Sequence, residues 1–259
     1  MPAPLLPDAE PFSADGGPHG ALVLHGITGN PSSMKGVARA LAAAGFAVDC
    51  PLLPGHGTTV DDLLDVTWAD WSAAAEDALT ALAARLDEGG RLVVVGLSMG
   101  GTLTAWLASR HPTLAGIALV NPLVEPAPDL RALVAGTVAD GTEVFPSIGS
   151  DIAKPAVLES TSEGGTPLRA LLTLLDAVAD LQPGLAAITC PVLLLSSVED
   201  HVVPPSNGAH LVATVTAPLE RVMLERSYHV ATLDFDAELI EERVVDFAVN
   251  MVGSGRRGS

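Results

Sequence analysis

The chain has 259 residues, of which 48% are hydrophobic, so it can bury one large core or a core domain with an insertion. Its 31 acidic residues outnumber its 13 basic residues, which gives a formal net charge of −18. Nucleic acids and anionic membrane surfaces are bound by clustered Lys and Arg, so this charge argues against both as partners.

The first half of the chain predicts an irregular arm followed by alternating strands and helices. Residues 1–18 are rich in Pro and Gly, with room for one edge strand. Beyond them, short apolar runs predict strands, and longer stretches with helical periodicity predict helices. The predicted strands are 21–25, 46–50, 92–95 and 115–120, and the predicted helices are 32–44, 67–86 and 102–109. This alternation indicates an α/β fold with a mostly parallel sheet flanked by helices.

The alternation stops between residues 121 and 189. Seven prolines lie in this stretch, together with short helical pieces, and no strand is predicted there. The clearest helix is 168–181, whose apolar face is wide because Leu174 and Leu181 lie off its main apolar stripe.

We interpret residues 122–188 as a small helical cap inserted into the α/β core; the alternative is an ordinary helical connection packed on that core. The core domain is then discontinuous and consists of 1–121 and 189–259. Its second part resumes the sheet, with strands 191–196 and 219–224 and helices 206–215 and 235–252. Asp234 is predicted to cap the last helix, and the tail 253–259 is predicted to be disordered.

Compartment and membrane behaviour can be predicted from three features. The first seventeen residues have no positive charge before an apolar run and are broken by prolines, unlike a secretory signal. Residues 92–109 are uncharged, but their Gly, Ser and Thr favour a strand, a turn and a helix over a membrane span. Cys50 and Cys190 are far apart and are expected to be free thiols. Together these features predict a cytoplasmic protein with no stable membrane insertion.

Gly96-Leu97-Ser98-Met99-Gly100 spells G-x-S-x-G between a predicted buried strand and a predicted helix. Side chains two residues before and after the serine would collide in so sharp a turn, and glycine at both places removes the collision. The N–H groups that begin the following helix favour negative charge on whatever binds Ser98. Ser98 is therefore the predicted nucleophile, and a plain Gly/Ser loop is the alternative.

A serine hydroxyl needs a base to take its proton and an acid to orient that base. In a parallel sheet the residues that follow each strand gather at one edge, so the partners of Ser98 should follow later strands. His229 follows strand 219–224 and is the predicted base. Asp200 follows strand 191–196 and is the predicted acid, with Glu199 and Asp234 as weaker alternatives. His201 is interpreted as a loop residue.

Acyl transfer also requires N–H groups that stabilise the developing oxyanion. The predicted donors are the backbone N–H of Met99, directly after the nucleophile, and that of Ile27 in the loop after the first long strand. The G-x-G-x-x-G spelling at 253–258 has no strand before it, so dinucleotide binding is not predicted. H-E-x-x-H and C-x-x-C are both absent from the sequence, so no metal or other cofactor is expected.

Several segments resemble the bacterial carboxylesterase and monoacylglycerol lipase group of the α/β-hydrolase superfamily, and the likeness runs from about residue 20 to 252. They are HGITGNPSSM (25–34), PLLPGHGT (51–58), GLSMGG (96–101) and SYHVATLD (227–234). The resemblance implies an α/β-hydrolase fold with a small helical cap that hydrolyses short-to-medium acyl esters or monoacylglycerols.

On this resemblance, Ser98, Asp200 and His229 occupy the group's triad positions, and Ile27 and Met99 its oxyanion positions. The group often has an aromatic residue where this chain has Ile27, so the pocket shape is expected to differ. The same triad would also serve an acyltransferase or a thioesterase, and the fold could instead serve a low-turnover binder of apolar ligands. The sequence predicts a small acyl ester as partner and leaves the oligomeric state open.

Overall fold

The computed structural model describes residues 3–147 and 149–253 of the chain, so the tail beyond Gly253, predicted to be disordered, lies outside the described residues. Its centre is a seven-stranded sheet. The strands are β1 (Phe12–Ala14), β2 (Gly20–Leu24), β3 (Ala47–Cys50), β4 (Leu92–Leu97), β5 (Gly116–Val120), β8 (Val192–Ser197) and β9 (Leu219–Leu224). They lie in the order β1-β3-β2-β4-β5-β8-β9, in which the edge strand β1 runs antiparallel to β3 and all other neighbours are parallel. The predicted α/β fold with a mostly parallel sheet is confirmed.

Helices cover both faces of the sheet. Within the described ranges they are α1 (Lys35–Ala43), α2 (Trp68–Ala83), α3 (Met99–Arg110), α4 (Pro128–Ala139), α5 (Leu168–Asp180), α6 (Gln182–Ala187), α7 (Ser206–Thr214) and α8 (Ala237–Gly253). Successive residues of a strand point to opposite faces. In β2, Leu22 and Leu24 therefore pack with α2 and α3, whereas Ala21 and Val23 pack with α1 and α8. None of the helices described is long and apolar enough to cross a membrane.

Helix starts depart from the predicted positions at three places, one of which is α3, where the helix begins at Met99 rather than at Thr102. Residues Pro31–Ser33 form a 3-10 turn capped by the Asn30 side chain, so α1 begins at Lys35 rather than at Ser32. At the other end of the chain α8 begins at Ala237, so Asp234 is not its N-cap. Its carboxylate accepts hydrogen bonds from four backbone N–H groups instead, those of Ala153, Lys154, Tyr228 and Phe235.

The segment between β5 and β8 contains α4, α5 and α6, as the helical interpretation of 122–188 predicts. It also contains a two-stranded antiparallel pair, β6 (Val144–Phe145) with β7 (Thr166–Pro167), so the prediction of no strand there was wrong. Two-residue strands are too short to show an alternating pattern in sequence. Leu174 and Leu181 are buried, in agreement with the wide apolar face of α5 and its C-terminus. The division of the chain into core and cap stays a prediction.

The turn from β4 to α3 brings backbone against backbone. A Cβ on Gly96 would lie 2.1 Å from the carbonyl oxygen of Gly100, and a Cβ on Gly100 would lie 2.2 Å from the carbonyl oxygen of Leu24. Ser98, between the two glycines, has a φ of 57°, a backbone conformation that non-glycine residues rarely adopt. The turn therefore requires glycine at both positions, as the sequence motif predicts.

Substitution of Gly100 tests this packing. We expect Gly100→Ala to lower the free energy of unfolding by about 1–3 kcal/mol or more, because the added carbon overpacks against a main-chain carbonyl. The control is Gly136→Ala in α4, where a Cβ meets nothing within 4 Å and helix propensity should raise stability by about 1 kcal/mol. Urea unfolding measures both variants, and a Gly100→Ala protein as stable as wild type would contradict the prediction.

Candidate active site

Four of the predicted site residues lie on loops that leave the carboxyl edge of the sheet. Ile27 follows β2, Ser98 follows β4, Asp200 follows β8 and His229 follows β9. Ile27, Ser98 and His229 line one cavity of about 380 Å³, and Asp200 lies behind His229. The structure thus brings together residues that are up to about 200 positions apart in the chain.

The candidate base and acid form a buried pair. His229 Nδ1 lies 2.8 Å from Asp200 Oδ2, and the two side chains are 8% and 2% exposed. The other oxygen of Asp200 accepts hydrogen bonds from the N–H groups of Val202 and Val203, at 2.9 and 2.8 Å. Because both oxygens are occupied, the carboxylate is fixed in orientation and holds the imidazole so that Nε2 is left to accept a proton.

The two alternative acids are placed differently. Glu199 is exposed, and the described structure gives it no hydrogen bond to His229. Asp234 is buried, but its oxygens are taken by the backbone N–H groups that it holds. Of the three carboxylates weighed from the sequence, Asp200 is the one positioned to orient His229.

The two predicted oxyanion donors approach Ser98 from different elements. Met99 is the first residue of α3, so its N–H has no acceptor within the helix. Gly26 packs so closely on Ser98 that a Cβ there would lie 3.2 Å from the Cβ of Ser98, which places the adjoining Ile27 at the cavity. This arrangement is suited to stabilising negative charge on an oxygen bound near Ser98. Their roles as donors stay a prediction.

Buried His25 holds the loop that carries Ile27, and the buried ring of His56 packs against that of His25, with the ring centroids 4.8 Å apart. His25 Nδ1 lies 2.9 Å from the carbonyl oxygen of Gly26, and His25 Nε2 accepts the N–H of Leu53 at 3.1 Å. This pattern requires a neutral ring with its proton on Nδ1. Burial lowers the pKa of His25 well below its ordinary range, and the neighbouring His56 lowers it further. Burial likewise lowers the pKa of His56 to about 4.

Asn121 is a site residue that the sequence pattern did not single out. It directly follows β5, with a φ of 43°. Its side-chain oxygen accepts the N–H of Ser197 at 2.8 Å, and its side-chain nitrogen donates to the hydroxyl of Ser197 at 2.9 Å and to the carbonyl of His229 at 2.8 Å. Asn121 thus joins the end of β8, which leads into the loop of the candidate acid, to the loop of the candidate base. A polar residue directly after a buried strand was the signal available in the sequence.

Glu159, from the segment between β5 and β8, also lines the cavity and had no sequence signal. Burial disfavours its charged form and raises the pKa of its carboxyl to about 7, although the nearby His229 acts in the opposite direction. The carboxyl group lies against the loop of Ile27, where a Cβ on Gly29 would lie 2.7 Å from Glu159 Oε1. The cavity therefore holds an ionisable group besides the candidate base.

Two kinds of side chain line the cavity, and they come from different parts of the chain. Apolar ones come mainly from the helices of the inserted segment: Leu123, Val134, Phe145, Leu171, Leu174 and Leu175. Polar ones come mainly from the stretch between β6 and β7 and from the acid loop: Ser147, Asp151, Glu159, Thr161, Ser162 and His201. The cavity can thus accept a molecule with an apolar part and a hydrogen-bonding part.

Comparisons with known proteins agree with this geometry. A family model described as serine aminopeptidase, S33, matches residues 18–236. The chain is 42% identical to a thermostable monoacylglycerol lipase of Bacillus sp. (strain H-257), over 96% of this chain and 98% of the relative. It is 24% identical to a carboxylesterase of Bacillus subtilis (strain 168), over 92% of this chain and 95% of the relative.

Solved structures give the same picture. A structure from the metagenome-derived lipolytic enzymes LipS and LipT superposes with a TM-score of 0.89 at 41% identity and covers 95% of this chain and 100% of its own. The Paleococcus ferrophilus monoacylglycerol lipase superposes with a TM-score of 0.68 and covers 93% of this chain and 99% of its own. At 18% identity, the second match shows a shared fold alone.

The buried imidazoles predict a loss of stability in acid. Unfolded histidines gain protons below pH 6.5, whereas His56 in the folded protein does so only near pH 4. Its contribution is therefore complete above about pH 6.5 and falls as the pH drops toward 4, by up to about 3 kcal/mol. We expect His56→Asn, which keeps a donor for the Pro54 carbonyl, to show a shallower decline over this range. Urea unfolding from pH 8 to 4.5 measures it, and parallel curves for the two proteins would contradict the assignment.

Proposed function

Since this chain belongs to the serine aminopeptidase S33 family of α/β-hydrolases and is a serine ester hydrolase, we propose that it cleaves monoacylglycerols and other esters of short-to-medium acyl chains through an acyl-enzyme on Ser98. The observation that carries the proposal is the buried pair of His229 and Asp200, of which His229 lines the same cavity as Ser98. The monoacylglycerol lipase that is 42% identical to this chain supports the substrate class.

The acylation step follows from the orientation of His229. Its Nδ1 is occupied by Asp200, so Nε2 takes the proton of Ser98 as the hydroxyl oxygen attacks the ester carbonyl. The N–H groups of Met99 and Ile27 stabilise the negative charge that develops on the carbonyl oxygen. His229 then donates its proton to the leaving alcohol, the carbon–oxygen bond breaks, and the acyl group stays on Ser98.

Deacylation repeats these roles with water as the nucleophile. His229 takes a proton from a water molecule, whose oxygen attacks the acyl carbonyl, and the carboxylic acid leaves as Ser98 recovers its proton. Throughout, Asp200 stabilises the imidazolium that forms on His229. No group other than these side chains and backbone amides is needed for the reaction.

The lining of the cavity supports an acyl chain joined to a polar alcohol. Leu171, Leu174 and Leu175 of α5 offer an apolar wall, which stabilises an acyl chain by removing it from water. Glu159 and Thr161 offer hydrogen-bonding partners for free hydroxyl groups such as those of glycerol. In this proposal residues 122–188 act as a cap, because they supply most of both walls.

We also propose the cytoplasm as the compartment and a small ester as the partner. Cys50 and Cys190 are both buried and unpaired, which fits a reducing environment. The net charge of −18 is unfavourable for association with nucleic acid and favours an uncharged small-molecule substrate.

Substitution of the proposed triad tests the reaction. We expect Ser98→Ala and His229→Ala each to lower kcat by roughly 10⁴–10⁶-fold, and the double variant to be little worse, because triad members act as a unit. Asp200→Asn should lose about 10⁴-fold, since it favours the wrong imidazole tautomer. Initial rates on p-nitrophenyl esters from acetyl to palmitoyl, and on a monoacylglycerol, provide the measurement.

The matched control is Ser109→Ala in α3, whose hydroxyl donates to the Trp106 carbonyl and whose loss should leave the rates unchanged. Substantial activity in Ser98→Ala would sink the proposal. Serine-dependent release of acyl products to an added alcohol or from a thioester, without hydrolysis, would reassign the chain to acyl transfer or thioester cleavage. The absence of turnover on every substrate by folded wild type would indicate a binder.

The role of Glu159 makes a separate prediction about pH. With its pKa near 7, the carboxyl becomes a charged acceptor as the pH rises through neutrality. Hydrogen bonds from substrate hydroxyls to a charged acceptor are stronger than those to a neutral one by about 1 kcal/mol. We expect the ratio of kcat/KM for a monoacylglycerol to that for a p-nitrophenyl ester of the same acid to rise about fivefold between pH 6 and 8. The ratio should be flat in Glu159→Gln, and a flat ratio in wild type would exclude this role.

A further inference from the structure

We infer that Asp151 is a positioning residue for His229, through which the inserted segment helps to set the place of the catalytic base. The inference rests on the proposed function, because it assumes that His229 is the base. Asp151 lies between β6 and β7, far from His229 in the chain, and its side chain is only 13% exposed. Neither the sequence motifs nor the family relationship singles it out.

The carboxylate of Asp151 accepts three hydrogen bonds from two loops. One oxygen accepts the backbone N–H of His229 and that of His201, each at 3.1 Å. The other oxygen lies 2.8 Å from Nδ1 of His201. His201 directly follows Asp200, so a single side chain joins the loop of the base to the loop of the acid. The backbone carbonyl of Asp151 also accepts the N–H of Val230 at 3.1 Å.

His229 is thereby held through three of its polar groups, and Nε2 is the one left for the reaction. Asp151 binds its N–H, Asn121 binds its carbonyl oxygen at 2.8 Å, and Asp200 binds Nδ1 of its ring at 2.8 Å. The contact with Asp200 sets the orientation of the ring, whereas the contacts with Asp151 and Asn121 fix the position of the His229 backbone. Orientation and position both matter, because displacing a catalytic group by about 1 Å can lower the rate about 100-fold.

The three hydrogen bonds depend on the charge of the Asp151 carboxylate as well as on the shape of the side chain. All three of its partners are donors when the Nδ1 atom of His201 carries a proton, and a carboxylate can accept from all of them. The contact with Asp151 also raises the pKa of His201, which favours that donor form. An amide in the place of the carboxylate would turn an NH₂ group toward at least one of these donors. Asn at this position is therefore close in shape but mismatched in hydrogen bonding.

The experiment compares wild type with Asp151→Asn and Asp151→Glu, using p-nitrophenyl acetate, which is too short to depend on the acyl wall. We expect kcat to fall about 10- to 100-fold in both variants while KM stays within about threefold. Phosphorylation of Ser98 by diethyl p-nitrophenyl phosphate should slow in parallel, because it needs His229 to take the proton of Ser98 but involves no acyl chain and no deacylation. A purely structural role would not lower kcat and the phosphorylation rate together at constant KM.

The control is Asp70→Asn, which removes a carboxylate that also accepts two hydrogen bonds, from Thr67 at the start of α2 and away from the cavity. It should keep wild-type kcat even where it lowers the unfolding temperature. Should Asp151→Asn fail to fold, Asp151→Glu retains the charge, moves the carboxylate by one methylene, and decides the same question.

Wild-type kcat and phosphorylation rate in a folded Asp151 variant would overturn the inference and leave the proposed function in place, provided that wild type depends on Ser98. If instead wild type shows no ester hydrolysis that depends on Ser98, the proposed function and this inference fall together.

Discussion

The site depends on one close approach of backbone to backbone, at the turn between β4 and α3. Gly100 packs against the Leu24 carbonyl and Gly96 packs against Gly100 itself, so the turn is locked to the neighbouring strand β2. This packing places Ser98 at the carboxyl edge of the sheet, and α3 begins directly after it. Because β4 lies between β2 and β5, the loop of Ile27 is the immediate neighbour of Ser98, the proposed nucleophile, on one side. The turn and the strand order together therefore determine which loops lie next to Ser98.

The same edge of the sheet holds a concentration of unfavourable backbone conformations. Of the five described non-glycine residues with positive φ, three follow the adjacent strands β2, β4 and β5, namely Thr28, Ser98 and Asn121. Such conformations persist where surrounding contacts enforce them. The Thr28 carbonyl accepts the N–H of Ser162, the Ser98 N–H donates to the Val120 carbonyl, and the Asn121 side chain joins the end of β8 to the loop of His229. Strained backbone and the hydrogen bonds that hold it in place thus lie together at the candidate site.

The sequence predicted those parts of the site that depend on local motifs and on strand order. Ser98 follows from its flanking glycines, and Asp200 and His229 follow from their positions after late strands of a parallel sheet. Asp151 and Glu159 could not be found in this way, because they lie in a segment without periodicity whose path over the sheet is set by tertiary contacts. Asp234 could not be assigned from the sequence for the same reason. Its position just before α8 is typical of an N-cap, but its carboxylate accepts the backbone N–H of Ala153 from a distant loop.

The segment between β5 and β8 has two parts that differ in burial and in hydrogen bonding. Between β6 and β7 it is bound to the core at several points: Asp151 holds the His229 loop, Ser162 donates to Thr28, and Asn30 donates to the Ser160 carbonyl. Helix α4 instead exposes most of its surface, including Leu130 and Leu133, and buries Val134 alone. Helix α4 therefore contributes a single buried residue, whereas the stretch around Asp151 is hydrogen-bonded to the loop of His229, the proposed base. The weakly buried part of this segment and the part that is hydrogen-bonded to the candidate site are therefore separate, and low burial of α4 makes it the part that local opening costs least.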